Sequence, residues 1–264
     1  MKLSSITSSS ITSCYMAIAL AVAAAPAVAG PVSQIASWRQ AADDDGVGAG
    51  GFVGPGWGGQ AFDAEYLYYK WSGSVLSIGL QSGFDLVTGV VASGGKKYYA
   101  GDLALSFDGN ASTYEYAIDF GLYTEDYSGK KVDATADDAT DTGSDVAGLY
   151  SVSQWNTTVA FPQSNPFAMD RGTLIRALAD PNYPGQQNIA GFDSTEGSFY
   201  RIVSIDLSGL NLGPNFAMHW TMSCGNDVLD GVTRETVKVP EPGTLALFGT
   251  GLLGLALVRR RRRV

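Results

Sequence analysis

Histidine and cysteine are almost missing from this chain: among 264 residues there is one histidine, His219, and there are two cysteines, Cys14 and Cys224. That is too little for a histidine-based catalytic network, a Cys/His zinc cage or a disulfide framework. Charge is scarce as well, at 16% of residues, against roughly a quarter in an ordinary soluble domain. No internal repeat is found, which argues against the regular Thr-x-Thr ladder that a flat ice-binding face calls for. What the chain does have is 33 glycines, 13 tyrosines and 45% hydrophobic residues. This composition suits a turn-rich packed domain, whereas disordered chains are poor in aromatic and aliphatic residues.

The N-terminus reads as a secretory signal peptide over residues 1–29. Lys2 precedes a Ser/Thr-rich lead and an apolar run over 16–25; Ala27 and Ala29 then set small residues at the minus-three and minus-one positions of a cut before Gly30. Ile11-Thr12-Ser13-Cys14 mimics a lipobox, but its apolar run follows Cys14 instead of preceding it, so lipidation is not expected. Removing the signal leaves Cys224 as the single thiol.

At the other end, Pro240-Glu241-Pro242 leads into apolar or small residues 243–258, followed by Arg259, Arg260, Arg261, Arg262 and Arg263. Sixteen helical residues rise about 24 Å, somewhat short of a ~30 Å hydrocarbon core, so this transmembrane helix spans only with snorkelling arginines or a thinned bilayer. The arginine cluster stays cytoplasmic by the positive-inside rule, which places residues 30–242 on the far side of the membrane. Pro-Glu-Pro, a short Leu/Gly-rich span and a terminal arginine cluster together resemble the PEP-CTERM sorting signal of bacterial surface proteins. The resemblance covers residues 240–264. It implies an exosortase that cuts near Pro242 and passes the body to the cell surface or its extracellular matrix. Residues 216–227 are also similar to the last strand of a set of such surface proteins.

With both ends set aside, the body over 30–239 keeps 11 basic and 25 acidic side chains, a net charge of −14. Nucleic acids and acidic lipids are poor partners for such a polyanion, because their binding relies on Lys and Arg displacing counterions. Period-two alternation marks half-buried strands: Leu103, Leu105 and Phe107 share one face, as do Tyr114, Tyr116, Ile118 and Phe120, with Glu115 and Asp119 pointing away. Asp108-Gly109-Asn110 between them signals a hairpin. Further strands are expected over 65–71, 75–80, 84–91, 148–153, 157–161, 198–207 and 216–224, and one short helix over 173–179, stopped by Asp180-Pro181. The predicted fold is therefore all-β, an antiparallel β-sandwich of jelly-roll-like order. The Gly-rich stretch 46–59 reads as a surface loop whose Phe52 and Trp57 pin it to the core, with a ligand-binding lip as the alternative.

Candidate chemistry is thin. On 216–224, Met218, Trp220, Met222 and Cys224 form the core side, with Cys224 buried and inert, while His219 lies on the polar side as a surface or loop-packed residue. No nucleophile elbow or paired-His spacing supports catalysis. An EF-hand read from Asp138 fails, because Leu149 stands where the bidentate Glu is required. The acidic run is then a solvated loop, or a looser calcium site formed by Asp137, Asp138, Asp141 and Asp145; no other cofactor is expected. Glycosylation sequons at Asn110 and Asn156 are disregarded in a bacterial surface protein. Five tryptophans (Trp38, Trp57, Trp71, Trp155 and Trp220) bring to mind sugar-stacking sandwiches, though most must be core. The reading is a non-enzymatic surface or matrix protein, processed by signal peptidase and exosortase and held meanwhile by its C-terminal helix. The alternative is a carbohydrate-binding module acting on exopolysaccharide, and after that a secreted hydrolase.

Overall fold

The computed structural model describes residues 30–44, 46–108, 110, 112–132, 146–178, 183–187, 197–210, 212 and 215–233. The signal peptide, the acidic run with Asp137, Asp138, Asp141 and Asp145, and the whole sorting tail lie outside these residues, as does the predicted span over 243–258. Among the described residues no helix is long and apolar enough to cross a membrane.

Among the described residues fifteen strands follow one another: β1 (Arg39–Asp43), β2 (Ala64–Ser72), β3 (Val75–Ser82), β4 (Val90–Ser93), β5 (Lys96–Tyr99), β6 (Leu103–Ser106), β7 (Tyr116–Asp119), β8 (Thr124–Glu125), β9 (Lys131–Val132), β10 (Gly148–Asn156), β11 (Ala168–Ala177), β12 (Tyr183–Gln187), β13 (Ser198–Asp206), β14 (Phe216–Thr221) and β15 (Val228–Thr233). One sheet has the order β1-β2-β3-β13-β12, the other β11-β10-β7-β6-β14-β15, and β4-β5 and β8-β9 are separate hairpins. Every ladder is antiparallel. The order departs from the expected jelly roll, in which successive strands change sheets. Here β1-β2-β3 and β6-β7-β10-β11 are meanders, because neighbours in sequence stay neighbours in space, and β13 and β14 join late beside β3 and β6.

The two sheets share one core. Leu67 and Tyr69 of β2, Leu76, Ile78 and Leu80 of β3, and Val203 and Ile205 of β13 belong to the same buried cluster as Leu103, Leu105, Ile118, Phe216, Met218 and Trp220. Tyr69 meets Phe216 edge-on across it at 5.1 Å, and Phe84 meets Trp220 at 6.4 Å. The hairpin and the core side of β14 follow the sequence pattern.

The outer face of the first sheet is also covered. Val32 and Ile35 are fully buried against Tyr66 and Tyr68, with Tyr200 and Ile202 beside them. Ile35 sits so close to β3 that a Cβ at Gly79 would fall 2.4 Å from its Cγ2, so only glycine fits there. Gln81 accepts the Val32 N–H and donates to the Gly30 carbonyl and to Glu65. Glu65, itself buried, also accepts from Gln60 and Ser198. The chain is thus tied to the sheet from Gly30 onward, the residue that follows the predicted signal cut. Ile35→Ala is expected to cost about 3 kcal/mol, read as a lower denaturation midpoint; an unchanged midpoint would mean the segment adds nothing to stability.

Three expected elements come out differently. The short helix expected over 173–179 is not formed by its described residues: Thr173 to Ala177 belong to β11, an edge strand laddered along β10. Neutral helix propensity there gives way to an available strand partner. Residues 84–88 are a turn, because the Asp85 carboxylate accepts the N–H groups of Val87 and Thr88, and only Val90 onward is strand. Buried Arg201 holds this turn by donating to the Leu86 carbonyl, and burial lowers its pKa to about 10. Residues 157–161 are a loop, started by the Asn156 side chain accepting the Thr158 N–H.

Candidate functional site

The Gly-rich stretch 46–59 leaves β1 and folds over the turn that joins β14 to β15. Gly56 donates to the Asn226 carbonyl at 2.6 Å, Gly54 donates to Asp227 Oδ1 at 3.2 Å, and Asn226 Nδ2 donates back to the Trp57 carbonyl. The approach is close: a Cβ at Gly56 would lie 2.8 Å from Asn226 Cα. A loop pinned by its backbone in this way turns its large rings outward. Trp57 is 66% exposed and Phe52 52% exposed, so neither is the core pin expected from the sequence. The pin is Val53, which is buried. The backbones of Phe52 and Trp57 bridge across the loop, and the Trp57 ring stands edge-on to Phe161 at 6.2 Å.

Beneath the loop lie three carboxyl groups. Asp227, 1% exposed, accepts N–H bonds from Gly54, Ala64 and Val228. Burial first, then the negative charges of Asp44 and Asp63, push it up to about 8 in spite of two of those donors, the N–H groups of Ala64 and Val228. Asp44 hydrogen-bonds to Asp227; it too is raised, by burial and by Asp43, with the Asp227 bond opposing. Two facing carboxyls holding a proton near neutrality resemble acid–base machinery. In this arrangement, however, the Asp227 oxygens are occupied by backbone N–H groups that clamp the loop, and only Asp44 reaches solvent. Among the described residues no group of three or more His, Cys, Asp or Glu side chains is placed to hold a metal ion.

His219 is where the sequence pattern misleads. It is buried at 2% exposure, not on an open polar face, because the loop of Ser164 and Pro166 covers that side of β14. Nε2 donates to the Pro166 and Ser164 carbonyls at 2.9 and 3.1 Å, Nδ1 faces Asp230 at 2.8 Å, and the Tyr114 ring packs on the imidazole. The loop-packed alternative is the one realised.

Cys224 is free and buried, as expected. Burial pushes its thiol up to about 12, so the thiolate that alkylating reagents need is nearly absent at pH 8. Iodoacetamide should leave the folded protein unmodified for hours and label it fully in denaturant; rapid labelling of the native form would show Cys224 to be reachable.

A groove of about 390 Å³ opens at the far end of the β1–β2 pair, lined by Ser37, Trp38, Arg39, Lys70 and Trp71. Lys70 Nζ lies 4.4 Å from the Trp38 ring centroid. Sequence reasoning counted both tryptophans without seeing that the β1–β2 register sets them beside two cations.

Of the residues singled out for sorting, only Gly30 is described; Ala27, Ala29, Pro240, Glu241, Pro242 and the five arginines lie outside. Neither a curated protein nor a solved structure matches the chain. Residues 238–263 match the model of the PEP-CTERM protein-sorting motif. The chain therefore carries a PEP-CTERM sorting motif, the mark of an exported surface protein processed by exosortase.

Proposed function

We propose that the body is a non-enzymatic component of the cell surface or extracellular matrix. Signal peptidase frees it at Gly30, the 243–258 helix holds it in the inner membrane with the body in the periplasm, and exosortase then cuts near Pro242. The observation that carries this reading is the sorting motif over 238–263. Three side chains among the described residues support it, since they are built into packing: His219 binds a loop, Cys224 sits in the core and Asp227 clamps the Gly-rich stretch. In cells lacking the protein, the matrix should weaken while its polysaccharide chain lengths stay the same. A shift in those lengths would instead identify a hydrolase.

A second reading, a carbohydrate-binding module, draws on the exposed rings of Trp57 and Phe52. Aromatic faces left in water at this exposure are available to stack on sugar rings. Trp57→Ala should then reduce co-sedimentation with the matrix polysaccharide without lowering the melting temperature; undiminished binding would exclude this loop as the contact.

A further inference from the structure

We propose that the buried cluster of Glu65, Gln81 and Ser198 is a self-modification site. Ser198 Oγ attacks the Gln81 carboxamide, with Glu65 as general base, and an ester bond forms between β13 and β3 with release of ammonia. The proposal goes beyond the surface-protein reading and uses none of the aromatic groups of the carbohydrate-binding one.

The three groups come from three neighbouring strands, and the ladders bring them to one face. Gln81 pairs with Tyr66 of β2 on one side and Tyr200 of β13 on the other. Ser198 lies two residues before Tyr200 and so shares its side of β13. Glu65 stands at the irregular step in the β2 register, between Ala64 and Tyr66. A bulge of this kind re-aims a side chain, and bulges recur beside active sites. Glu65, Gln81 and Ser198 are all fully buried, which is rare for a glutamate unless its carboxyl group is bonded.

The distances suit an acyl transfer. Ser198 Oγ donates to Glu65 Oε1 at 2.6 Å and to Oε2 at 2.7 Å, within the reach that a general base requires. Gln81 Nε2 donates to the same Oε2 at 2.7 Å, so one carboxyl oxygen touches both the nucleophile and the leaving group. The Val32 N–H donates to Gln81 Oε1 at 2.8 Å. A backbone donor there polarises the carbonyl and stabilises the charge that its oxygen gains in the tetrahedral intermediate. Gln60 Nε2 holds Glu65 Oε1 from the other side at 2.7 Å. A network that only clamped the 30–35 segment would need Gln81, but not a hydroxyl on the oxygen that Gln81 shares.

In the reaction the Ser198 proton passes to Glu65 as a C–O bond forms at Gln81 Cδ. The C–N bond then breaks, and Glu65 returns the proton to the departing nitrogen. Hydroxyl and carboxamide become ester and ammonia, and Glu65 ends as it began, so no other reactant is consumed. Burial afterwards keeps water from the ester. The product closes the chain from β3 to β13 into a covalent loop, which restricts the unfolded state as a disulfide does. With Cys224 as the single cysteine between residues 30 and 239, the body has no internal disulfide to serve that purpose.

The test is the mass of the denatured chain purified from the producing cells, compared with the mass its sequence requires between its own sequenced ends. Most molecules should lack the mass of one ammonia. A digest should contain the Gln81 peptide joined to the Ser198 peptide, and alkaline hydroxylamine, which cleaves esters and spares amides, should separate them. Ser198→Ala should restore the full mass, with Cys224 still protected from iodoacetamide as proof of folding. A wild-type chain of full mass would overturn the proposal without any variant. So would an ammonia still missing in Ser198→Ala, a junction at Gln60 instead of Gln81, or a junction that survives hydroxylamine.

Discussion

Raising the pH from 5 to 9 is expected to destabilise the body markedly, and Asp227 is the reason. Its folded-state value of about 8 lies well above the roughly 3.9 of an unfolded aspartate. The folded protein therefore binds that proton more tightly than the unfolded chain does. The associated stability is fully present below about pH 4 and is lost as pH rises through about 8. At about 1.4 kcal/mol per tenfold difference in proton affinity, the loss is bounded at about 6 kcal/mol. Asp126 acts in the opposite window: burial would raise it, but donors from Ser128, Lys130 and Asn156 outweigh burial and lower it, so its contribution is lost only in acid. Melting temperature should accordingly peak in mildly acidic buffer. Asp227→Asn removes the titration. Its amide nitrogen would face the N–H of Ala64 or that of Gly54 and Val228, so the variant is less stable at pH 5, by about 1–3 kcal/mol. The diagnostic is the slope, which should largely disappear between pH 5 and 9. A wild-type melting temperature that does not change over that interval would mean that Asp227 is ionised throughout. Because Gly54 binds Asp227 directly, the Gly-rich loop and Trp57 are expected to loosen together as the carboxyl ionises, seen as a red shift in tryptophan emission.

The second large effect concerns processing. Changing Pro240-Glu241-Pro242 to three alanines should move most of the protein from the surface fraction to the membrane fraction, with the body intact. The apolar span and its five arginines remain, so insertion continues, while the site of cutting is lost. Normal release of this variant would remove exosortase from the account.

Much of the fold was legible because local patterns and tertiary structure agree. Leu103, Leu105 and Phe107, facing Ile118 and Phe120, alternate cleanly, and Asp108 and Asn110 make the turn between them. Met218, Trp220, Met222 and Cys224 lie in the core as their spacing indicates. Alternation failed where both faces of a strand are covered. His219 occupies a formally polar position, but the Ser164–Pro166 loop supplies carbonyl partners that no local pattern announces. In β11, Thr173 to Ala177 has no strong preference, and its state is decided by β10. The candidate sites were the least legible. Asp44 and Asp227 are far apart in sequence, and so are Arg39 and Lys70; only the β1–β2 ladder and the loop over Asn226 bring them together. The tail was the reverse case, since its three parts are contiguous and its meaning requires no folding.

The most direct measurement is the intact mass of the protein recovered from the surface of the producing cells, with its terminal peptides sequenced. The account predicts a chain that begins at Gly30 and ends near Pro242, without the apolar span or the arginines. Recovery of all 264 residues, water-soluble inside the cell and with the span folded into the body, would contradict it.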